Sequence, residues 1–343
     1  MVASQNRIIT ITGAFKNAGD YLIGDRARKL LRNHTDAEIV DVNRREITEA
    51  HYELFDSARA VLLTGGPAYQ AEIYPKVYDL DLGRISAPVL AFGLGWKGKL
   101  GQSANEFRFS EPAGEFVRAI HADKTRFSSA RDFLTVEMLA ANGVENVAMT
   151  GCPAWYDETY LSSDYQFDSN VKRLVLSMPA VPQPMIPVLI RDLAKRFPKA
   201  EKFLSFQAGY RSTHSKKASE YSRWNYKMLA AGVLRGFKPI SFESDFAGFE
   251  NFMSSIDLHV GFRVHSHVFS LSQRKTSLLI AEDSRGIGQV QAMGGVAVSA
   301  HDAPQAAVTA LDELFSTQGA SVAAAITTMR TTHAEMLRFI KQL

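Results

Sequence analysis

A single cysteine, Cys152, in 343 residues is the first constraint. No intrachain disulfide can form, and a zinc site built on cysteines would lack its ligands, which favours a reducing compartment. Long apolar runs are also missing: no stretch approaches ~18 uninterrupted apolar residues, the length a membrane-spanning helix needs. The opening residues, MVASQNRIITITGAF, lack the basic segment, continuous apolar stretch and cleavage site of a secretory signal. Neither charge sign dominates, because 39 Lys and Arg face 36 Asp and Glu for a formal net charge of +3. That excess is too slight to argue for nucleic acid. Short tandem repeats, low-complexity tracts and heptad arrays are absent too. The expectation is a soluble cytoplasmic protein without a nucleic-acid partner, in which a peripheral membrane contact and a homo-oligomer both stay open.

What is present is ordinary globular material, 46% hydrophobic and 22% charged, long enough to bury a large core. At roughly 100–200 residues per domain, two domains are expected. Strand-like apolar runs at 8–12, 38–42, 60–64, 89–93, 126–129 and 147–150 alternate with helical patterns at 20–33, 106–121 and 132–142. A polar, aromatic-flecked stretch at 157–171 follows, and the alternation then restarts with RLVLSM, EKFLSF, KPISF, IDLHVGF, TSLLIAE and GGVAVS. This pattern predicts an α/β protein of two similar units, residues 1–160 and 171–343, each a parallel sheet covered by helices. In such sheets ligands bind beyond the carboxyl ends of the strands, so a cleft between the units is the expected site.

Several strand ends carry chemistry. In TGAFKNAGDYLIGDRARKLL, Gly13 follows the first strand, Gly19 permits a tight or positive-φ turn, and Asp20 is placed to cap the next helix. In VLLTGGPAYQ, Gly65 and Gly66 let a substrate approach the backbone, while Pro67 fixes the chain direction and can open a helix. VLAFGLGWKG repeats the design with Trp96 and Lys97 behind it. Each could be a plain βα turn; together they would line a mouth. In FSSARDFLTVEMLAANGV, Asp132 is the natural cap of a helix whose Phe133, Val136, Leu139 and Ala140 share a face. Arg131 just before it is either a surface cation paired with Asp132 or an anion clamp facing the cleft.

The sharpest stretch is GFRVHSHVF, where Arg263 ends a buried strand and His265 falls in the first turn of the following helix. A guanidinium offers a rigid fork of donors suited to phosphate or carboxylate, and the free amides of a helix N-terminus favour the same anion. His265 and His267 lie about 200° apart on the helix, so they do not form a zinc pair, and His267 reads as a packed residue. Nearby cations and the helix N-terminus should lower the pKa of His265 in the empty site, and an anionic substrate should raise it again. Cys152 reads as a small buried residue rather than a nucleophile. In the segment at 209–227, Arg211, Lys216, Lys217, Arg223 and Lys227 mix with Tyr210, Tyr221, Trp224 and Tyr226. Aromatic faces suit sugar rings, and the cations suit an acidic or phosphorylated glycan or a lipid-linked carrier, with Arg211 and Trp224 as the candidate contacts. A solvated basic helix beside a loop is the plain alternative. The terminal HAEMLRFIKQL is amphipathic through Met336, Leu337, Ile340 and Leu343, which either closes the core or offers a dimer or membrane contact.

Taken in order, NAGDYLIGD, TGGPAY, SARDFLTVEML, MTGCPAW and GFRVHSHVFSLSQRKTSLLIAEDSRG resemble the blocks of the polysaccharide pyruvyl transferase family, over about residues 13–295. The N-x-G-D and R-x-H patterns are the specific parts; the glycine blocks are generic. The resemblance implies a GT-B-like pair of Rossmann-like domains facing across a cleft. It implies phosphoenolpyruvate as co-substrate and a sugar diol as acceptor, in a polysaccharide, glycan precursor or glycolipid. The product would be a cyclic pyruvate ketal, with release of phosphate. By the R-x-H match, Arg263 and Val264 would bind the donor and His265 would be the general acid, with Arg131 a further ligand for the donor's phosphate or carboxylate. Asn17, Gly19, Asp20, Gly65 and Gly66 would line the cleft or the acceptor side. No metal or other cofactor is required by this chemistry. The chain departs from the family where Pro67 stands in place of a common third glycine and Cys152 where the family often shows an acidic residue, departures that bear on the acceptor side more than on the donor side. A GT-B glycosyltransferase using a nucleotide sugar and a non-catalytic glycan-binding protein are the alternatives.

Overall fold

The computed structural model describes residues 6–13, 17–66, 68–207, 209–212 and 217–343, so Pro67 and Lys216 lie outside the described residues. The first half runs β1 (Arg7–Thr12), α1 (Ala18–His34), β2 (Glu38–Asn43), α2 (Glu49–Asp56), β3 (Ala60–Thr64), the single turn α3 (Ile73–Lys76), β4 (Val89–Leu94), α4 (Glu111–Ile120), β5 (Ser128–Ala130), α5 (Phe133–Ala140) and β6 (Val147–Met149). All its strand pairs are parallel, in the order β2-β1-β3-β4-β5-β6. The central strand β3 is buried along its whole length, as a parallel sheet covered on both faces requires. Helices follow strands because a parallel pair needs a crossover.

The second half repeats the plan: β7 (Arg173–Ser177), α6 (Met185–Arg196), β8 (Glu201–Phe206), α7 (Ala218–Val233), β9 (Phe237–Ser241), α8 (Phe246–Ser254), β10 (Leu258–Gly261), α9 (Val264–Ser272), β11 (Thr276–Ala281), α10 (Ser284–Met293), β12 (Ala297–Ser299), α11 (Ala306–Ser316) and α12 (Ala320–Lys341). Its sheet is also parallel, in the order β12-β11-β10-β7-β8-β9. In each sheet the chain first winds outward on one side and then returns to the other side of its first strand. The reversals fall between β1 and β3 and between β7 and β10, and crevices open at the carboxyl ends of such strands. Among the described residues no helix is long and apolar enough to cross a membrane.

One packing detail differs from expectation, and the last helix closes the core as expected. Helix α5 buries Thr135, Met138 and Leu139, whereas Phe133 is 58% exposed and Ala140 is exposed. The cause is polar: Asp132 accepts from the Thr135 amide at 2.8 Å, and the Thr135 hydroxyl accepts from the Trp96 amide at 2.9 Å. These bonds turn the Thr135 side inward. Helix α12 buries Met336, Phe339 and Ile340, with Leu337 only partly covered, and Leu343 just beyond the helix is buried too. Phe339 stacks on Phe92 of β4 at 5.3 Å between ring centroids, so a helix late in the sequence closes the first sheet. Arg59 Nε donates to the Leu343 carbonyl at 2.8 Å and holds the end of the chain there.

Candidate active site

At the end of β10 the backbone presses against β7. A Cβ on Gly261 would lie 2.4 Å from the Ser177 carbonyl oxygen, and its φ of 137° suits glycine alone. The chain then turns, and Arg263 becomes the residue preceding α9 with φ −95° and ψ 104°. Its amide donates to Ser177 Oγ at 3.1 Å and its Nε to the Met178 carbonyl at 2.7 Å, which fixes the guanidinium at the switch point of the second sheet. The Arg263 side chain does not cap α9, and among the described residues no side chain accepts from its first-turn amides. Residues 262–265 line the recess in front of them.

That recess also takes Arg131 and Asn17 from the first unit and Glu282 and Arg285 from the second. The structure therefore brings Arg131, Arg263, Val264 and His265 together. Arg131 is 3% exposed; its Nε bonds Asp132 at 2.8 Å and its Nη2 donates to the Trp96 carbonyl at 3.2 Å. It is thus no surface cation: the pairing with Asp132 and the position in the cleft occur together. A Cβ on Gly95 would lie 2.1 Å from Arg131 Cζ, which explains the glycine in FGLGW as room for a guanidinium. Burial, followed by the fields of Arg285, Arg131 and Arg263, pushes the His265 pKa down to about 3. The imidazole is neutral in the empty recess at neutral pH.

The N-x-G-D segment enters differently from expectation. Asn17, not Asp20, caps α1: its side chain accepts from the Gly19 amide at 3.1 Å, and its backbone is extended. With the helix beginning at Ala18, Asp20 falls in the first turn. Gly19 is helical rather than a positive-φ turn; a Cβ there would lie 2.3 Å from His265 Nδ1. Asp20 lines an adjoining recess with Gly13, Arg44, Gly65 and Gly66, and both Asn17 and Arg285 border the two recesses. Burial raises the Asp20 pKa to about 6, outweighing the opposing fields of Arg285, Arg44, Arg263 and Arg45. Gly65 and Gly66 have φ of 58° and 80°, and a Cβ on Gly65 would strike Ile23.

Arg285, Glu282 and Arg44 were not singled out from the sequence. For Arg285 a signal existed: Asp-Ser-Arg at the end of β11 repeats the strand-end logic of Arg263. Asp283 holds it in place, bonded by Arg285 Nε at 2.9 and 2.8 Å. Burial raises the Glu282 pKa against the lowering field of Arg263. Arg211, exposed, and Trp224, partly buried on α7, line neither recess. His267 faces elsewhere, its Nδ1 2.7 Å from Ser277 Oγ. Cys152 is fully buried, and burial pushes its thiol up to about 11, the behaviour of a packed residue. The two units are tied beside the recess by Gly98 N–H to Ser284 Oγ at 2.6 Å and Trp155 Nε1 to Gln289 Oε1 at 2.7 Å.

The family model for polysaccharide pyruvyl transferase matches residues 17–284. The chain belongs to the polysaccharide pyruvyl transferase family. No curated protein matches it in sequence. Among solved structures, this pyruvyl transferase family member is similar to MnaA of S. aureus in a structure with UDP, at 16% identity over 93% of this chain and 91% of that one, with a TM-score of 0.54. It is also similar to a UDP-GlcNAc 2-epimerase of Neisseria meningitidis bound to UDP-GlcNAc, at 11% identity, 97% and 99% coverage and a TM-score of 0.56. A third is HepE of Anabaena with UDP, at 10% identity, 98% and 100% coverage and a TM-score of 0.52. At these identities the likeness establishes the fold, a GT-B-like pair of α/β units.

Proposed function

We propose that this enzyme transfers the pyruvyl group of phosphoenolpyruvate to two hydroxyls of a sugar, forming a cyclic ketal and releasing phosphate. The observation that carries the reading is the convergence of Arg131, Arg263 and Arg285 around one neutral imidazole at an uncapped helix N-terminus. Phosphoenolpyruvate has the two anionic groups such a site suits and a carbon that must be protonated. Its charge offsets the three guanidinia, raises the pKa of His265 and lets the imidazole arrive protonated.

His265 then gives its proton to the methylene carbon. The double-bond electrons form the new C–H bond, and C2 acquires oxocarbenium character. One acceptor hydroxyl adds to C2 while Asp20, with its pKa near the working pH, takes the hydroxyl proton. Phosphate departs with the C2–O electron pair, the second hydroxyl adds to C2, and its proton leaves with the phosphate. The proton held by Asp20 returns to His265 through solvent. The acceptor occupies the recess of Asp20, Arg44, Gly65 and Gly66, where Gly66, with no atom within 4 Å of its Cβ position, leaves the backbone open to a sugar. The reaction uses phosphoenolpyruvate as co-substrate and no other cofactor.

Transfer from a nucleotide sugar is the second reading, since the similar structures contain UDP or a UDP-sugar. The deciding experiment incubates the enzyme with phosphoenolpyruvate or UDP-sugars and a panel of glycan diols. Phosphate release together with a ketal methyl signal by NMR supports pyruvyl transfer. Release of UDP with no ketal would overturn it.

A further inference from the structure

Far from this cleft, three side chains from separate segments meet: His34 at the last residue of α1, Glu158 in the segment joining the two sheets, and His333 on α12. Their ligand atoms all lie within 4.8 Å of one another. His34 Nε2 is 2.6 Å and His333 Nε2 3.1 Å from the same oxygen, Glu158 Oε1. We propose that His34, Glu158 and His333 bind a zinc ion that fastens α1, the connecting segment and α12 together.

Zinc takes imidazole nitrogen and carboxylate oxygen at about 2.0–2.2 Å. Tetrahedral donors at that radius stand roughly 3.3–3.5 Å apart, so the two nitrogens, 2.6 and 3.1 Å from Glu158 Oε1, must each draw back from it by less than about 1 Å. Two nitrogens and one oxygen suit zinc and neighbouring transition ions, whereas magnesium and calcium prefer oxygen alone. The donors are held from outside as well. Asn33 Nδ2 donates to Glu158 Oε2 at 2.7 Å, occupying the other oxygen and leaving Oε1 aimed at the imidazoles. The preceding Asp157 is locked by Arg26 at 2.6 Å, both side chains nearly buried at 6% and 5% exposure. The His333 ring packs on Tyr156 at 5.1 Å and meets His34 edge-on at 6.1 Å between centroids. Three protein ligands leave a fourth position, and His34 borders a surface groove with Arg59 and Lys341 through which water or a small anion reaches it. The site lies at the opposite end of α1 from Gly19; a 17-residue helix spans about 25 Å, so zinc here is structural with respect to the cleft. Zinc binding here is independent of the reaction proposed above.

The test uses the tag-free, full-length chain, freed of metal with a chelator and dialysed. Titration with zinc chloride should give one ion per chain by calorimetry, cobalt(II) should develop the visible bands of a tetrahedral nitrogen–oxygen site, and magnesium chloride should bind at neither level. Zinc should also raise the thermal midpoint. His34→Ala, at a partly exposed side chain, should leave the circular dichroism unchanged and weaken zinc binding at least about tenfold, and Asn33→Ala should weaken it by about 10–100-fold. Glu158→Gln, which keeps a hydrogen-bonding group, should weaken it likewise. Absence of stoichiometric zinc binding by the wild type, or equal binding by wild type and His34→Ala, would overturn the proposal and leave a purely hydrogen-bonded cluster.

Discussion

Gly19 of α1 lies directly against the imidazole of His265, so close that a methyl group on Gly19 would sit 2.3 Å from Nδ1. The contact joins the first turn of one unit to the first turn of a helix in the other. Gly19→Ala is therefore expected to displace His265 by about 1 Å, which costs on the order of 100-fold in turnover for a positioned acid. The fold should tolerate it, because alanine in a helix gains about 1 kcal/mol over glycine and offsets part of the clash. Steady-state kinetics beside thermal melting check this; unchanged kcat would refute the tight packing.

The titration of His265 has a definite sign. With a native pKa of about 3 against an ordinary 6.5, the unfolded chain binds more protons between those values. Stability from this group is full above about pH 6.5 and is lost as pH falls toward 3. His265→Gln should lose less stability over that interval, measured by urea unfolding at several pH values. NMR titration should show the His265 pKa rise when phosphoenolpyruvate is bound; a ligand-independent value would sink the proton-delivery step.

Asp20 behaves in the opposite way. Its pKa is raised from 3.8 to about 6, so the native state binds more protons in that window and stability falls as pH rises through it. The interval corresponds to roughly 3 kcal/mol, an upper figure for a partly covered carboxylate. Asp20→Asn should accordingly stabilise the fold at pH 7 while reducing kcat by about 100-fold or more, as removal of a general base does. A variant that is neither more stable nor slower would contradict both assignments.

Two arginines separate binding from folding. Arg131→Ala leaves the buried Asp132 carboxylate without its partner, a defect worth about 3–5 kcal/mol, so its loss of activity is mixed with loss of stability. Arg285→Ala leaves behind Asp283, which is only partly covered. It should raise the KM for phosphoenolpyruvate by about 10–100-fold with little change in melting temperature, as expected for a charge-assisted contact. Unaltered KM would remove Arg285 from the donor site.

Much of this arrangement was legible in the chain. The strands appear as short buried runs, and Arg263 with His265 appears because strand end and helix start are consecutive. The misplaced cap has a plain cause: Asn17 and Asp20 are both good caps, and what selects the earlier start includes the fit of Gly19 under His265, 246 positions later. Local periodicity misjudged the inner face of α5 because the Thr135–Trp96 hydrogen bond spans two segments. Arg44 becomes a neighbour of Asp20 because β2 pairs with β1, and Arg285 because the second unit faces the first across the cleft. His34, Glu158 and His333, separated by 124 and 175 positions, carry no local pattern at all.

The packing of Phe339 on Phe92 has a bearing on biosynthesis. Aromatic rings on the first sheet, Phe92 and Phe127, are covered by a residue translated more than 200 positions later. A nascent chain that has finished the first sheet must therefore wait, with this apolar surface bare, until α12 emerges from the ribosome. Chains arrested or clipped before α12 are then expected to be clients for chaperones, because the surface that Phe339 covers stays bare in them.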